Sequence, residues 1–242
     1  MWRKARKGTE RAHFLHLGKT GGTAVKAALE PYVDSGRYSI LLHPHHVGLR
    51  EVPRKDRFFF AVRDPAERFV SGFYSRQRQG LPRYHEPWTH EEAEAFRRFS
   101  TANDLAVALS ADDPEERHAA ERAMRGIAHV RDSYLRWFPR GSLRRREPEL
   151  LYILFQSELN QDFMELVRRL ELEAMHPTLP DDDIAAHRNP STLDRRLSDS
   201  ALENLQRWYA RDYEFFEECR ELRLRFAHVI TRAASRDDRR SR

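Results

Sequence analysis

Four short runs of apolar residues recur along the chain and are separated by amphipathic stretches. The runs cover residues 12–17, 38–42, 57–62 and 150–155. Short continuous apolar runs bounded by turn residues are typical of strands that are buried on both faces. Because these runs alternate with helical patterns, the sequence predicts an α/β fold of three layers, in which helices flank a central, mainly parallel sheet.

The predicted helices follow from capping signals and from apolar residues at helical spacing. The helix after the first run should stop before Pro31, which has no amide hydrogen to continue it. Asp64 is the expected cap of a second helix, with Pro65 at its first position and Glu67 as the acid of a capping box. Further helices are predicted at 91–99, 103–109 and 114–128, after Ser157, and from Ser200 onward with Glu203 in a capping box.

The domain organisation predicted from this pattern is one domain over residues 1–242. It has a basic tail at 1–11, an insertion of helices and loops at about 76–146, and a frayed, charged tail at 232–242. A chain of this length is long enough to bury a substantial core.

The first apolar run ends in a stretch crowded with glycine, Gly18-Lys19-Thr20-Gly21-Gly22-Thr23. Glycines allow backbone conformations that are barred to other residues, and the amides at the start of the following helix favour a phosphate or sulfate. Gly-Lys-Thr also resembles the end of a nucleotide-binding P-loop, but His13 stands where that motif has an earlier glycine. The stretch therefore predicts an anion site beside a lysine.

A nucleotide kinase or triphosphatase is one alternative for this loop. Such an enzyme needs a carboxylate for Mg²⁺ at a strand end, and the run that ends at Phe155 is followed by Gln156.

A second anion-binding pair, Arg63 and Ser71, lies at the end of the third run and about two turns into the next helix. An arginine fork and a hydroxyl at the edge of a parallel sheet are suited to a second phosphate.

Three histidines, His43, His45 and His46, follow the second apolar run. A metal site is the weaker interpretation of this cluster, because no cysteine or acidic residue is near in sequence and Pro44 breaks the spacing. Histidine also suits proton transfer, since its ordinary pKa is near neutrality. The other interpretation of His43 and His45 is that they are ordinary loop residues.

Composition narrows the possible classes of protein. Lysine and arginine number 43 against 38 acidic residues, which gives a net charge of +5 and favours an anionic ligand but not a nucleic-acid-binding protein. A noncatalytic module that binds polyanions stays open as a second alternative.

No apolar run approaches the roughly 20 residues of a membrane helix. We therefore expect a soluble, cytoplasmic protein, in which the single Cys219 forms no internal disulfide.

The motifs together resemble the sulfotransferases that use 3′-phosphoadenosine 5′-phosphosulfate (PAPS). The stretch from His16 to Thr23 is similar to their 5′-phosphosulfate loop, and Arg63-Asp64-Pro65 with Arg68 and Ser71 is similar to their 3′-phosphate motif. A His-Val pair, His46-Val47, lies between the two motifs. It resembles the branch that contains heparan sulfate 2-O-sulfotransferase and its bacterial relatives.

This resemblance implies a P-loop-like fold and direct, in-line transfer of a sulfuryl group from PAPS to an acceptor, with adenosine 3′,5′-bisphosphate as the product and no metal required. Lys19 would act on the leaving phosphate and His46 as general base. The implied donor-binding residues are Gly18, Lys19, Thr20, Gly21, Gly22, Thr23, Arg63, Ser71, Arg188 and Ser191. Whether His43 or His45 assists His46 stays open.

The acceptor is expected to meet a basic and aromatic loop in the insertion. Its candidate residues are Arg76, Arg78, Arg83, Tyr84 and Trp88. Arginines bind sulfates or carboxylates, and tyrosine and tryptophan stack on sugar rings, so a carbohydrate, an anionic compound or another small molecule fits this loop. The alternative is a solvated charged face.

Overall fold

Four parallel strands form the single sheet of the computed structural model, which describes residues 9–181 and 194–237, with side chains as far as 225. The strands are β1 (Glu10–Leu15), β2 (Tyr38–Leu42), β3 (Arg57–Val62) and β4 (Leu150–Phe155). Their order across the sheet is β2-β1-β3-β4. The predicted α/β fold with a parallel central sheet is thereby confirmed.

Helices connect the strands and cover both faces of the sheet. They are α1 (Gly22–Leu29), α2 (Pro65–Gln77), α3 (His90–Arg98), α4 (Ala102–Ala108), α5 (Pro114–Gly126), α6 (Ser142–Arg145), α7 (Leu159–Arg169), α8 (Asp199–Trp208) and α9 (Ala210–Asp237). Short 3₁₀ turns occupy Glu30–Tyr32, Leu49–Glu51, Tyr134–Arg136, Glu147–Glu149, Gln156–Glu158 and Glu173–Met175.

The register of the sheet brings the carboxyl ends of the strands to one edge. Phe14 of β1 pairs with Leu42 at the end of β2, and Leu15 pairs with Phe60 of β3. Val62 in turn pairs with Phe155 at the end of β4. The loops that follow β1, β2 and β3 therefore lie side by side, which is where an open parallel sheet binds its ligands.

The two faces of the sheet carry separate apolar cores. Phe14 and Phe59 point toward α1 and α7, whereas Phe58 and Phe60 point toward Trp137 and α9. On the second face, the Phe60 ring lies 4.4 Å from Phe138, centroid to centroid. A third core joins α2, α3, α4, α5 and α8. The part of the predicted insertion that holds α3, α4 and α5 therefore packs on α2, whereas its last part, with Trp137 and Phe138, packs on the sheet.

The amino-terminal boundary differs from the prediction. Strand β1 begins at Glu10 and ends at Leu15, whereas the apolar run predicted 12–17 with a tail as far as residue 11. Charged partners extend the strand, because Arg11 pairs with Asp56 at 2.9 Å and Glu10 with Arg37 at 3.1 Å.

The carboxyl-terminal helix pattern is divided in two. Ser198, not Ser200, caps α8 by accepting a hydrogen bond from the Ala201 amide, and the helix breaks at Tyr209. The Tyr209 hydroxyl donates to the Val130 carbonyl at 2.6 Å, which fixes the break against the third core. Helix α9 then continues to Asp237, through part of the predicted frayed tail.

Two further capping predictions need correction. No side chain caps α7, because Ser157 lies inside a 3₁₀ turn and Glu158 takes the cap position. Asp64 does cap α2, but Glu67 bonds to Arg63 instead of closing a capping box. Among the described helices, none is both long enough and apolar enough to span a bilayer.

Candidate functional site

The glycine-rich loop between β1 and α1 forms the floor of the site. Lys19 has a left-handed backbone, φ 66°, which is uncommon for a residue other than glycine and concentrates at functional sites. Gly21 has φ 86°, and a Cβ at Gly22 would lie 2.3 Å from Cδ2 of His16. The loop therefore follows a path that no side chain at these two glycines permits.

The backbone amides at the start of α1 are candidates for binding an anion. Helix α1 begins at Gly22, so its first amides have no partner within the helix. The Thr20 hydroxyl donates to the Leu17 carbonyl at 3.0 Å, which leaves the Thr20 side chain without a proton to give a phosphate. From the other side, Nε of Arg68 donates to the Gly18 carbonyl at 3.1 Å and fixes that peptide.

Lys19 is the cation at the centre of the site. Burial and the nearby charges of Arg78 and Arg63 lower the pKa of Lys19 to about 7. Among the described residues, no carboxylate forms an ion pair with its ammonium group. A half-buried lysine that faces two arginines is stabilised only when an anion joins them.

Arg63 follows β3 directly and is held by its backbone. The Tyr134 hydroxyl accepts from the Arg63 amide at 3.1 Å and donates to the Arg63 carbonyl at 2.5 Å. The guanidinium Nε bonds Glu67 at 3.2 Å, and within the described residues its two terminal nitrogens have no hydrogen-bond partner. The backbone and Nε of Arg63 are thus held in place, while its two terminal nitrogens can donate to a ligand.

Ser71 lies on helix α2 one turn after Arg68, whose guanidinium reaches the glycine-rich loop. Residues three apart on a helix share a face, so Ser71 lies on the same face of α2 as Arg68. Sequence reasoning missed Arg195 nearby, whose positive charge lowers the pKa of both Arg63 and Arg78. The Tyr74 hydroxyl donates to the Asp194 carbonyl at 2.5 Å, which ties the Arg195 segment to α2.

His45 is the histidine of the β2 loop that lies against the glycine-rich loop. Its Nδ1 is 2.9 Å from the His16 carbonyl oxygen, and its ring centroid is 3.8 Å from that of His16. A carbonyl only accepts, so Nδ1 of His45 bears the proton and Nε2 keeps its lone pair. Desolvation and the charges of Lys26 and Lys19 outweigh the carbonyl bond and lower the pKa of His45.

His46 and His43 have other partners. His46 is exposed, as His45 is, and it interacts electrostatically with His43, whereas His45 interacts with Lys19. His43 is buried at 5% exposure and bonds His13. Its interaction with Lys19 makes His45 a second candidate base, while the role of His46 stays a prediction.

Two more histidines lie at the glycine-rich loop, and sequence reasoning missed one of them, His129, which interacts electrostatically with Lys19. His16 is buried, which lowers its pKa to about 2, and His129 lies in the loop after α5 with its Nδ1 3.4 Å from where a Cβ of Gly18 would be. Burial and the charge of Lys19 hold the pKa of His129 well below its usual value. His16 directly precedes the glycine-rich loop in sequence, whereas no pattern marks His129, which tertiary packing brings to the loop.

Comparison with known proteins agrees with this geometry. The family model described as Sulfotransferase family matches residues 8–217. The chain belongs to this sulfotransferase family. No curated protein and no solved structure matches the chain in the corresponding searches.

The acceptor-side prediction needs one correction. Arg76 is 1% exposed in this sulfotransferase, and it donates to both carboxylate oxygens of Glu92, at 2.7 and 2.6 Å. Its other bonds go to the carbonyls of Glu86 and Pro87. Arg76 is a structural residue that fixes the loop, because its donors are used inside the protein.

The other predicted acceptor residues lie on the loop between α2 and α3. Arg83 is exposed, Tyr84 is 38% exposed and Trp88 is 36% exposed, with its indole nitrogen donating to the Arg76 carbonyl at 2.8 Å. Arg83 also lowers the pKa of His16, which locates this loop on the side of the histidines. Arg78 instead lies near Lys19, where, after burial, its charge lowers the pKa of Lys19.

Two predicted donor residues of this sulfotransferase, Arg188 and Ser191, lie outside the described residues. Within residues 9–181 and 194–225, no group of three or more histidine, cysteine or acidic side chains is arranged to hold a metal.

Proposed function

We propose that this sulfotransferase transfers a sulfuryl group from PAPS to a hydroxyl of a carbohydrate or another small acceptor. The observation that carries the proposal is the convergence of Lys19, Arg63 and Arg78 above the glycine-rich loop, where Lys19 has no acidic partner among the described residues. A donor with two separate phosphate groups supplies the anions that this arrangement needs.

The loop after β1 and the segment after β3 would each bind one phosphate end of the donor. Amides of Gly21, Gly22 and Thr23 and the ammonium of Lys19 would hold the 5′-phosphosulfate, since they lie at the start of α1. Arg63 and Ser71 would hold the 3′-phosphate. The cradle fits such a group, because side chains at Gly21 or Gly22 would collide with Leu159 or His16.

His45 is the general base in this proposal, and His46 is the candidate that the sequence favoured. With Nδ1–H committed to the His16 carbonyl, Nε2 of His45 is the nitrogen that accepts the acceptor's proton. A pKa lowered by burial keeps the ring uncharged at neutral pH.

When bound, PAPS provides the sulfuryl group and a bisphosphate leaving group. Lys19 stabilises negative charge on the leaving phosphate oxygen, and the fixed loop amides add hydrogen bonds without reorganising. His45 removes the hydroxyl proton while the Arg63 and Lys19 contacts align the reacting groups.

A nucleotide kinase is less well supported. Asp64 follows β3, but its carboxylate accepts the amides of Ala66 and Glu67 as a helix cap, at 2.9 and 3.1 Å. Gln156 follows β4. Asp64 thus already serves as a helix cap through Oδ1, and the end of β4 is followed by an amide side chain rather than by a carboxylate for Mg²⁺.

The experiment incubates the purified chain with PAPS and a library of carbohydrate and small-molecule acceptors, and reads mass increases of one sulfate. Lys19→Met is the control, since it removes the ammonium but keeps an unbranched side chain. Sulfated products that require Lys19 support the proposal. Binding of polyanions without transfer, unaffected by Lys19→Met, would instead indicate a noncatalytic module.

A further inference from the structure

A hydrogen-bonded chain of three buried side chains runs beneath the loop that carries His45. Asp56 Oδ2 lies 3.0 Å from Nε2 of His13, and Nδ1 of His13 lies 2.9 Å from Nε2 of His43. The exposed fractions of His13, His43 and Asp56 are 1%, 5% and 5%. None of the three is part of the donor site described above.

When both rings are neutral, the order of the chain fixes where the protons lie. Ionised Asp56 can only accept, so Nε2 of His13 bears its proton. Nδ1 of His13 is then an acceptor, and Nε2 of His43 must donate to it. Both rings are neutral in this arrangement, in agreement with burial, which lowers the pKa of His13 and lowers that of His43 to about 4.

The surrounding charges are consistent with neutral rings. Asp56, Arg11 and Arg146 act on His13, and the two arginines counter the carboxylate. His13, Lys26 and His46 act on His43, and all three disfavour a positive charge on it.

Burying three polar side chains is costly unless every one of them is paired. Apolar residues at 13 and 43 would fill the same space on a face that is otherwise built from Phe58, Phe60 and Trp137. The polar chain therefore contributes something other than packing. It resembles the second layer of partners that orients a functional imidazole elsewhere in proteins.

The chain ends on the segment that positions His45. The His43 amide donates to the Phe14 carbonyl at 3.1 Å, and Nζ of Lys26 donates to the His43 carbonyl at 3.0 Å. Two residues later, the His45 carbonyl accepts from Nε1 of Trp137 at 2.6 Å. Fixing the His43 ring thus fixes the start of the loop whose next turn presents His45.

We propose that Asp56, His13 and His43 form a positioning chain that holds the base loop in the geometry required for proton transfer. These residues act through His45 and touch neither donor nor acceptor. The inference rests on the proposed function, because it names what supports the proposed base.

The test compares two substitutions of His13. In His13→Gln, the amide nitrogen can donate to Asp56 while the amide oxygen accepts from His43, so the direction of the chain is kept. His13→Leu interrupts it. We expect His13→Leu to lower kcat by about tenfold or more, since small misplacements of catalytic groups are costly. His13→Gln should retain most of kcat, and neither should change the Kd of adenosine 3′,5′-bisphosphate more than twofold.

A matched control is Phe58→Leu, because Phe58 pairs with His13 across the sheet and is equally buried. It perturbs packing on the same face but leaves the chain intact, so kcat should be unchanged below the melting temperature. If His13→Leu does not fold, Asp56→Asn replaces it, since it removes the charge that selects the His13 tautomer.

Imidazole ¹⁵N spectra provide a readout that does not depend on catalysis. In the unsubstituted chain His13 and His43 should both be Nε2–H tautomers, and His13→Leu or Asp56→Asn should change the His43 tautomer and shift the His45 signals. Other tautomers, His45 signals that do not respond, or equal kcat losses in His13→Gln and His13→Leu would overturn the positioning chain. Absence of transfer by the unsubstituted chain, with the spectra as expected, would count against the proposed function alone.

Discussion

Lys19 and Arg76 are both enclosed cations, yet their surroundings are opposite. Arg76, on α2, has Glu92 on one side and two backbone carbonyls on the other, so its hydrogen-bonding groups are used. Lys19, in the glycine-rich loop, faces Arg78 and Arg63, and no described carboxylate pairs with it. The fold completes the environment of one cation and leaves the other to be completed by a ligand.

The same contrast separates the two regions to which these residues belong. Around α3 and α5, arginines meet acids: Arg98 pairs with Glu115 and Glu116, and Arg125 with Glu121. Such exposed pairs stabilise by less than about 1 kcal/mol and mark a solvated surface. At the carboxyl edge of the sheet, positive charges gather instead, which costs stability and indicates function.

The largest effect should come from exchanging the two cations for methionine. Lys19→Met is expected to lower kcat/KM for sulfuryl transfer by about 10³-fold while the protein stays folded, because a preorganised charge on the leaving group is lost. Arg76→Met should instead destabilise the fold by about 3–5 kcal/mol, since it leaves Glu92 buried without its partner. Steady-state kinetics of both variants measure kcat/KM, and urea unfolding measures their free energies of unfolding. The contrast fails if Arg76→Met is stable and Lys19→Met is active.

The next effect distinguishes the two candidate bases. His45→Gln should lower kcat about 10²-fold or more, because the transferable proton loses its acceptor, with little change in the Kd of the bisphosphate product. His46→Gln is the control and should change kcat less than threefold, a limit we set at roughly the scatter of surface substitutions. The reverse order of effects would restore His46 as the base.

A smaller effect concerns the pH dependence of donor binding. Burial and the charges of Arg78 and Arg63 lower the pKa of Lys19 to about 7 in the free protein. If the protonated form binds the anion, the pKa of Lys19 should be higher in the complex. The affinity for adenosine 3′,5′-bisphosphate should therefore fall between pH 7 and 9, by at most about tenfold per unit. Calorimetry gives both the affinity and the accompanying proton uptake. The affinity of Lys19→Arg, which stays charged, should not change with pH. An affinity of the unsubstituted chain that does not change over this range would contradict a Lys19 whose charge is completed by the ligand.

The smallest effect is on stability in mild acid. Burial lowers the pKa of His43 to about 4 and that of His16 to about 2, whereas both are near 6.5 in the unfolded chain. The unfolded state thus binds more protons below pH 6.5, and the free energy of unfolding should fall there by up to about 1.4 kcal/mol per pH unit for each histidine. Urea unfolding at pH 7.5, 6 and 5 measures it. His43→Asn should reduce the slope, and stability that does not change down to pH 5 would argue against neutral buried rings.

Sequence patterns located the parts of the molecule that depend on local chemistry. The strand bounds of β2, β3 and β4 agree with the apolar runs, and Asp64 caps α2 as expected. These features depend on residues adjacent in sequence. The assignment of donor residues in the two loops stays a prediction.

What sequence could not reveal depends on contacts between distant segments. The sequence around Arg76 suggests a surface residue, but the fold pairs its guanidinium with Glu92, which lies 16 residues later. His45 is separated from Lys19 by 26 residues, and Asp56 meets His13 across 43. Tertiary packing decides these pairs, and no periodic or motif signal precedes it.

The most direct measurement of the central claim is calorimetric binding of adenosine 3′,5′-bisphosphate and of 5′-AMP at pH 7. The two ligands differ only in the 3′-phosphate. If Arg63 and Ser71 hold that group, the bisphosphate should bind about 100-fold more tightly, as expected from two contacts of about 1.5 kcal/mol each, and Arg63→Ala should remove most of the preference. Equal affinities for the two ligands in the unsubstituted chain would contradict the two-phosphate site and the PAPS-dependent transfer inferred from it.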